Sequence, residues 1–424
     1  MFDGLEMGMF PLIARPALQQ MQEAQGLVVS DSYVGLWMGY VTAAFLIGAA
    51  AGGVLFGWLG DKIGRVRAMA LSILCYSLFT GLVYFAQEPW HLLVTRFVAA
   101  FGMGGEWSLG VALVMEVWPE KYRPLMAGTI GAAANVGYVL IAVVGMGFTV
   151  TTESWRWVAL VGALPAFLTI AILAFVPESE RWQAQKTATN QPLREVLRPP
   201  LLKKTLFATL FASVALIGTW GSVQWLPLWA DQMAQQQSVT QARAELSAPG
   251  AKAPVSEAAI TTRANELKNN RAKANTLALS ALGAIFGCFA GAWLAGRFGR
   301  RPAYFILCLT SLLLCGYLFR EVGSYGPLFL TMVFLVGGMS AAFYGWLPLY
   351  LPELFPTRAR ATGQGLSFNS GRILAAVGAL QMGALMQHFN GSYAQAGAVI
   401  TLIYLVGMVV IWLAPETKGK PLPE

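Results

Sequence analysis

A chain of 424 residues that is 56% hydrophobic and only 12% charged has too little polar surface to cover a water-soluble globule. Its net charge of +8 is no sign of nucleic-acid binding, because most of the 29 Lys and Arg residues fall in short segments between apolar runs: 62–67, 121–123, 181–204, 297–301, 358–360 and 418–420. The apolar runs are near 20 residues, long enough to cross a bilayer at about 1.5 Å per residue. They predict an all-α polytopic membrane protein, and the positive-inside rule makes the basic segments cytoplasmic.

In chain order, helix 1 is expected at 2–18. It has no cationic lead-in, Asp3 and Glu6 standing where a signal peptide would be basic, and its shortness suggests that a first turn or two is missing. Helix 2 is expected at 35–56 and helix 3 at 68–86, joined by the cationic loop Gly57-Trp-Leu-Gly-Asp-Lys-Ile-Gly-Arg-Val-Arg67. Helices 4, 5 and 6 follow at 90–115, 125–148 and 157–176. A basic, proline-containing linker occupies 177–204, and helix 7 spans 206–229. The polar stretch 231–273 is too long for a structureless connection and reads as a partly helical cap or a loop, on the outside by parity. Helices 8 to 12 are expected at 274–295, 304–319, 328–351, 362–387 and 394–414, before a tail at 415–424. Twelve spans put both termini in the cytoplasm, with an N-terminal half at 1–176 and a C-terminal half at 205–414. Cys75, Cys288, Cys308 and Cys315 all lie in apolar runs, which argues against a disulfide framework. His91 and His388 are too isolated for a metal site, no nucleotide-binding glycine loop occurs, and nothing in the sequence points to an enzyme or a cofactor.

The two halves repeat. Ala292-Trp-Leu-Ala-Gly-Arg-Phe-Gly-Arg-Arg301 copies the first cationic loop, with Gly299 in the place of Gly64 and Arg300 in that of Arg65. Glu116-Val-Trp-Pro-Glu-Lys-Tyr-Arg123 matches Glu353-Leu-Phe-Pro-Thr-Arg-Ala-Arg360, and Pro177-Glu-Ser matches Pro415-Glu-Thr. The offsets are 235, 237 and 238. A six-plus-six duplication places a substrate site near the midplane, between the halves.

These landmarks run from end to end of the chain, and with them the sequence resembles the major facilitator superfamily, in particular its sugar-porter and organic-acid:proton symporter branches. Asp3-Gly-Leu-Glu6 is similar to the Asp-Gly-x-Asp of carboxylate symporters, while the Gln-Leu-Ser signature of true sugar porters is absent from helix 7. The resemblance implies proton-coupled transport in the bacterial inner membrane by a monomer, and a hexose substrate only weakly. It also implies that Arg96 is the partner of an acid on helix 1.

Ionisable groups inside a membrane helix usually face the protein interior or a wet cavity. Asp3 and Glu6 lie one turn apart on the same side of helix 1, and two close, partly desolvated carboxylates do not both ionise easily, as a proton-carrying site requires. Glu6 is the better candidate for the coupling acid. The competing reading puts Asp3 at the cytoplasmic interface. Arg96 and Glu106 on helix 4 complete the set, unless Arg96 merely snorkels to the outer surface or Glu106 is structural. Arg372 lies about 18 Å into helix 11 with no acid on its own helix, so a carboxylate substrate suits it, as does an acid from another helix such as Glu6 or Glu106. Asn135, Tyr138, Trp220, Gln224, Trp225, Tyr344, Trp346, Asn369 and Gln381 are the polar and aromatic residues able to line a cavity around it.

The loop motifs suit switching. Asp61 and Arg65 with Glu116 and Arg123, and Glu353 with Arg358, Arg360, Glu178 and Glu416, can hold the cytoplasmic side shut; the resemblance makes the N-terminus of helix 11 the partner of Asp61. Three functions stay open from the residues: a proton symporter of a small organic acid, a proton-independent sugar or polyol facilitator, and a non-transporting sensor on the same scaffold.

Overall fold

The computed structural model describes residues 1–26, 31–147, 151–184, 192–247, 256–269, 271–390 and 392–424, and all regular structure among them is helical. Helix 1 is Phe2–Ala24, helix 2 Asp31–Ile63, helix 3 Arg65–Leu82 and helix 5 Arg123–Gly147. Helices 8, 9 and 11 are Ala272–Phe298, Arg300–Glu321 and Arg360–His388. The expected loop 57–67 is nearly all helix. One residue, Gly64, separates helices 2 and 3 at φ 111°, and Gly299 does the same for helices 8 and 9 at φ 102°. Only glycine enters that region at no steric cost, so the break is confined to it. Asp61 and Lys62 therefore ride on the last turn of helix 2 rather than in a loop.

Among the described residues four spans break in matching pairs. Helix 4 is Pro89–Gly104 followed by Glu106–Val117, and helix 10 is Pro327–Ala341 followed by Phe343–Leu354. Helix 6 is Trp155–Val161 with Pro165–Phe175, and helix 12 is Tyr393–Ile400 with Ile403–Val410. Helix 7, Leu201–Gly221, passes through a 3-10 turn at Val223–Trp225 into Leu226–Leu246. The polar stretch is thus largely helical. Leu226–Leu246 pairs with Glu257–Leu267 over Ala242, Ile260 and Ala264. Its flanks carry Arg243–Glu257 at 3.2 Å, Arg263–Glu245 at 2.9 Å and Lys268–Asp231 at 3.1 Å. Exposed pairs of this kind contribute at most about 1 kcal/mol each, so the buried apolar strip matters more.

Among the described residues ten helical segments are long and apolar enough to cross a membrane. Helices 1 and 11 are the remaining two of the twelve, and they carry Asp3, Glu6 and Arg372. Helix 1 packs on helices 5 and 6, and helix 11 on helices 2 and 7. The halves meet along two seams. In one, Gly53 and Gly57 of helix 2 lie against Asn369 and Ala361 of helix 11. In the other, Gly128 of helix 5 lies against Phe289 of helix 8, and Gly296 against Pro124.

Candidate functional site

Helix 1 is seated on helix 5 by close backbone approach. Gly4 touches the carbonyl of Ala134, and Gly137 touches the backbone of Met1 and Leu5. Ala134 and Gly137 are 11 and 14 residues from Arg123, so Asp3 and Glu6 lie roughly 15–20 Å from the charged end of helix 5. That sets Asp3 well away from the charged end of the helix; its Oδ1 accepts from Gly4 N at 2.7 Å and from the N-terminal ammonium at 3.1 Å.

Glu6 is 1% exposed and Arg96 3%. Oε1 of Glu6 accepts from Arg96 Nη1, and from Thr80 Oγ1 at 3.2 Å. The Arg96 guanidinium lies 4.6 Å from the ring centroid of Phe10 and 4.9 Å from that of Phe45, where ring faces favour a cation. Arg96 is therefore not a snorkelling cation. The other two atoms of the pair are unserved: Glu6 Oε2 and Arg96 Nε are buried without hydrogen-bond partners. Glu106 opens the second segment of helix 4 just after the break at Gly105. Asp3, Glu6 and Tyr76 are its neighbours, and its Oε2 is also buried without a partner.

Arg372 is half-buried, faces Asp3, Tyr138 and Tyr344, and makes no ion pair among the described residues. Its Nη1 donates to Asn369 Oδ1 at 3.0 Å, and its guanidinium lies 5.3 Å from the Phe368 centroid. Phe368 stacks on Trp107, the residue after Glu106, at 4.1 Å and 17°. Tyr344 faces Thr219 and Trp220. One arginine thus sits beside an aromatic wall drawn from helices 4, 5, 7, 10 and 11.

Other expected lining residues lie elsewhere. Asn369 is buried, donates to Gly365 O at 2.8 Å and packs on Gly53, so its amide belongs to the helix 2–helix 11 seam as much as to the site. Asn135 donates to Gly131 O at 3.3 Å on its own helix. Gln224 is exposed in the turn beyond helix 7, and Trp225 stacks on Tyr393 at 6.3 Å. Trp346 is fully buried with Nε1 donating to Arg300 O at 2.9 Å, which makes it a packing residue. The Gln381 side chain lies outside the described residues.

The charged face is built twice, and differently. In the first copy Arg65 bonds Glu116 through Nε at 3.3 Å and Nη2 at 3.1 Å, and Gly60 O at 2.8 Å. In the second, Arg300 bonds Glu353 through Nε at 2.9 Å and Ala295 O at 2.9 Å. Glu178 accepts from the backbone N–H groups of Arg65 and Val66, and Glu416 from those of Arg300 and Arg301, each acid at a helix N-terminus where negative charge is favoured. Burial raises the Glu416 pKa, but the N–H groups of Arg300, Arg301, Lys418 and Thr417 outweigh it and hold the carboxyl below its ordinary value.

Among the described residues polar bonds latch the helix 2–helix 11 seam alone. Asp61, salt-bridged to Arg65 at 2.9 Å, accepts from Ala361 N at 3.3 Å and Thr362 N at 2.8 Å. Arg65 Nη2 donates to Thr357 O at 2.6 Å, and Arg360 Nη1 to Glu116 Oε1 at 2.8 Å. Arg360 also bonds Pro423 O at 2.7 Å, a contribution from the tail that the sequence did not signal. Two expected members fall outside this latch. Arg123 does not pair with Glu116; its closest carboxylate is Glu120, at 4.0 Å. Arg358 turns to the linker, where Nη2 bonds Glu195 at 2.6 Å. Thr80, Phe10, Phe45 and Glu195 were missed because no spacing rule marks them. Trp182, whose Nε1 donates to Asp61 O at 3.0 Å, follows the Pro-Glu-Ser landmark and was findable from it.

Twelve membrane helices in two repeated halves, with ionisable groups kept in the interior, are the framework of a secondary transporter. The family model for sugar (and other) transporters matches residues 12–424, and the chain belongs to that family, within the major facilitator superfamily. A metabolite transport protein of Haemophilus influenzae is 31% identical over 395 residues, covering 89% of this chain and 86% of its own. The cis,cis-muconate transport protein of Acinetobacter baylyi is 26% identical over 387 residues, covering 89% and 84%. Among solved structures the proton:xylose symporter XylE superposes with a TM-score of 0.70 at 16% identity, covering 99% of this chain and 95% of its own, a likeness of fold. The protein is thus a membrane-embedded transporter of small molecules and not an enzyme.

Proposed function

We propose that the protein is a proton-coupled symporter of a small organic acid, working by alternating access with both termini in the cytoplasm. The observation that carries this reading is Arg372: a half-buried guanidinium deep in the membrane, facing Asp3, Tyr138 and Tyr344, with no ion-pair partner among the described residues. A guanidinium so placed favours an external carboxylate, which it can grip through two parallel hydrogen bonds. The wall of Tyr344, Trp220 and the Trp107–Phe368 stack suits a planar or amphipathic acid. A relative named for muconate transport supports the same substrate class.

Glu6 is the coupling acid and Arg96 its switchable partner. With Glu6 ionised the pair is closed; protonation of Glu6 releases Arg96 to the rings of Phe10 and Phe45. Asp3 and Glu106 are the neighbouring carboxyls through which a proton reaches Glu6. On the cytoplasmic side Asp61, Arg65, Glu116, Thr357 and Arg360 hold the gate shut while the site faces outward, and rocking of the halves breaks them. Arg300, Glu353, Glu178 and Glu416 brace each half internally.

The test is external pH in weakly buffered proteoliposomes while monocarboxylates, aromatic acids, sugar acids and neutral sugars are added in turn. Alkalinisation with one acid, absent in Glu6→Gln and in protein-free liposomes, is the expected result. Counterflow of a neutral sugar without any pH change identifies a facilitator and overturns the proposal. Silence across the panel, with the protein folded, favours the sensor.

A further inference from the structure

Arg123 is the repeat counterpart of Arg360, and the two are served differently. Arg360 is fully buried and each of its nitrogens has an acceptor: Glu116, Pro352 O and Pro423 O. Arg123 is 5% exposed, yet among the described residues its guanidinium makes no hydrogen bond, and Nε is buried with no partner. Glu120, 4.0 Å away, is 59% exposed and too distant for a hydrogen bond. Glu353, the acid that symmetry would offer, is occupied by Arg300 and by Thr417. The other charges near Arg123 are cations, Arg181 and Arg300. A buried guanidinium without acceptors is costly, and more so beside other cations.

The surroundings indicate what supplies the acceptors. Arg123 begins helix 5 at its seam with helix 8, where Gly296 meets Pro124 and Gly128 meets Phe289. Bilayer-facing apolar groups flank that seam: Leu125 is 54% exposed, Phe289 38% and Trp293 61%. Phe289 and Trp293 are one turn apart on one side of helix 8. Trp118 and Tyr122, both exposed beside Arg123, are residues of the membrane–water boundary. Arg181 and Arg297 are exposed on the same charged face. A buried cation with exposed cations around it and an apolar wall running into the bilayer matches an anionic headgroup followed by its acyl chains.

We infer that Arg123, with Arg181, binds a phosphate-bearing anion at the helix 5–helix 8 seam, and that an acidic phospholipid is its source. The phosphate oxygens supply the acceptors that Arg123 lacks, and the acyl chains lie along Leu125, Phe289 and Trp293. The bound lipid bridges the helix 5–helix 8 seam, which has no polar latch among the described residues, so it stabilises the closed charged face from the side opposite Asp61.

The experiment is thermal unfolding of the full chain in detergent with phosphatidylcholine alone, with added phosphatidylglycerol, or with inorganic phosphate at matched ionic strength. Phosphatidylglycerol is expected to raise the midpoint by several degrees in the wild type, by less in Arg123→Lys and Arg181→Ala, and not at all in Arg123→Ala. Arg243→Ala, on the exposed hairpin, keeps the wild-type response. An equal rise with inorganic phosphate that is lost in Arg123→Ala keeps the site and makes a free anion its ligand. A wild type that responds to neither, or an Arg123→Ala or Arg181→Ala protein that responds as the wild type does, overturns the inference. Arg181 is exposed, so Arg181→Ala gives a reading even where Arg123→Ala fails to fold.

Discussion

Asp61 and Thr362 stand 301 residues apart and are joined, Oδ2 accepting from the Thr362 N–H at 2.8 Å. In the other seam Gly296 lies against Pro124, the counterpart of Ala361 whose N–H also serves Asp61, and proline has no N–H to give. A carboxylate at position 296 would therefore lack one of the two donors that Asp61 has and would be left with the N–H of Leu125, the counterpart of Thr362. Charge-assisted hydrogen bonds of the Asp61 kind are worth about 1.5–3 kcal/mol, and about 1.4 kcal/mol is tenfold in an equilibrium. Asp61→Asn is expected to shift the balance of open and closed charged faces by about tenfold or more and to cut the transport rate, with substrate affinity nearly unchanged. Binding and initial-rate measurements on one preparation check this; a large loss of affinity at normal turnover contradicts it. Gly296→Asp should create at most a weaker latch, with one backbone donor in place of two.

Glu6 and Arg96 give a second prediction. Removing one partner of a buried pair leaves the other charge unpaired and typically costs about 3–5 kcal/mol. Arg96→Leu should therefore destabilise the protein strongly and Glu6→Gln less, since a neutral amide can still accept from Arg96. The double variant should recover much of what Arg96→Leu loses. A thermal-unfolding double-mutant cycle measures the coupling. Transport by Glu6→Gln should proceed by exchange yet no longer respond to a pH gradient.

The tail gives a third. Pro423 O is one of three acceptors around Arg360, and Leu422 is 3% exposed beside it. Deleting 422–424 removes that acceptor and leaves Arg360 partly unsatisfied, as Arg123 is. A cysteine placed on the helix 2–helix 11 seam should then label faster from the charged face, with the substrate affinity of the opposite face reduced. Unchanged labelling would assign the tail a role in folding alone.

What was legible from the residues depended on repetition. Gly64 and Gly299, Arg65 and Arg300, and Glu116 and Glu353 occur twice at nearly constant offset, and their local pairings could be read from one another. Arg123 and Arg360 share the same motif, but pairing across a seam depends on the facing helix, and Pro124 and Gly296 alter that helix without changing the motif. Trp346 was misplaced because an indole on a membrane helix looks the same whether it lines a cavity or, as here, packs inside one half. Over 231–273 the sequence left a partly helical cap and a loop both open, because polar alanine- and glutamine-rich sequence carries no apolar period, and the helices Leu226–Leu246 and Glu257–Leu267 bear out the first. Glu6 and Arg96 could be paired from resemblance, whereas Thr80 and the two flanking phenylalanines are ordinary membrane-helix residues.

Glu416 sets a pH dependence. Its carboxyl is held below the ordinary value by four backbone N–H groups despite burial, so the unfolded chain takes up its proton at a higher pH than the folded one does. The stabilisation it gives is fully present above the ordinary carboxylate pKa and is lost as pH falls through the lowered folded-state value. The unfolding midpoint should therefore drop across the acid range, and Glu416→Gln should flatten that part of the profile while lowering the midpoint at neutral pH. A variant with the wild-type acid profile would show that other groups set it.

Arg372 decides the substrate class. Arg372→Lys keeps the charge but loses the planar fork, and Arg372→Gln loses both. If a carboxylate is gripped through two parallel bonds, the lysine variant should bind the acid about tenfold more weakly and the glutamine variant about a hundredfold, on the scale of one and two charge-assisted bonds. A neutral amide analogue of the same acid should bind all three proteins alike, which separates loss of recognition from a damaged site. Asp3 faces Arg372 from helix 1, and in the glutamine variant it keeps, among the described residues, the N-terminal ammonium at 3.1 Å as its cation. Asp3→Asn in the Arg372→Gln background should therefore recover little stability and no acid binding. Recovery of both would make the pair structural and shift the carboxylate's partner elsewhere in the site.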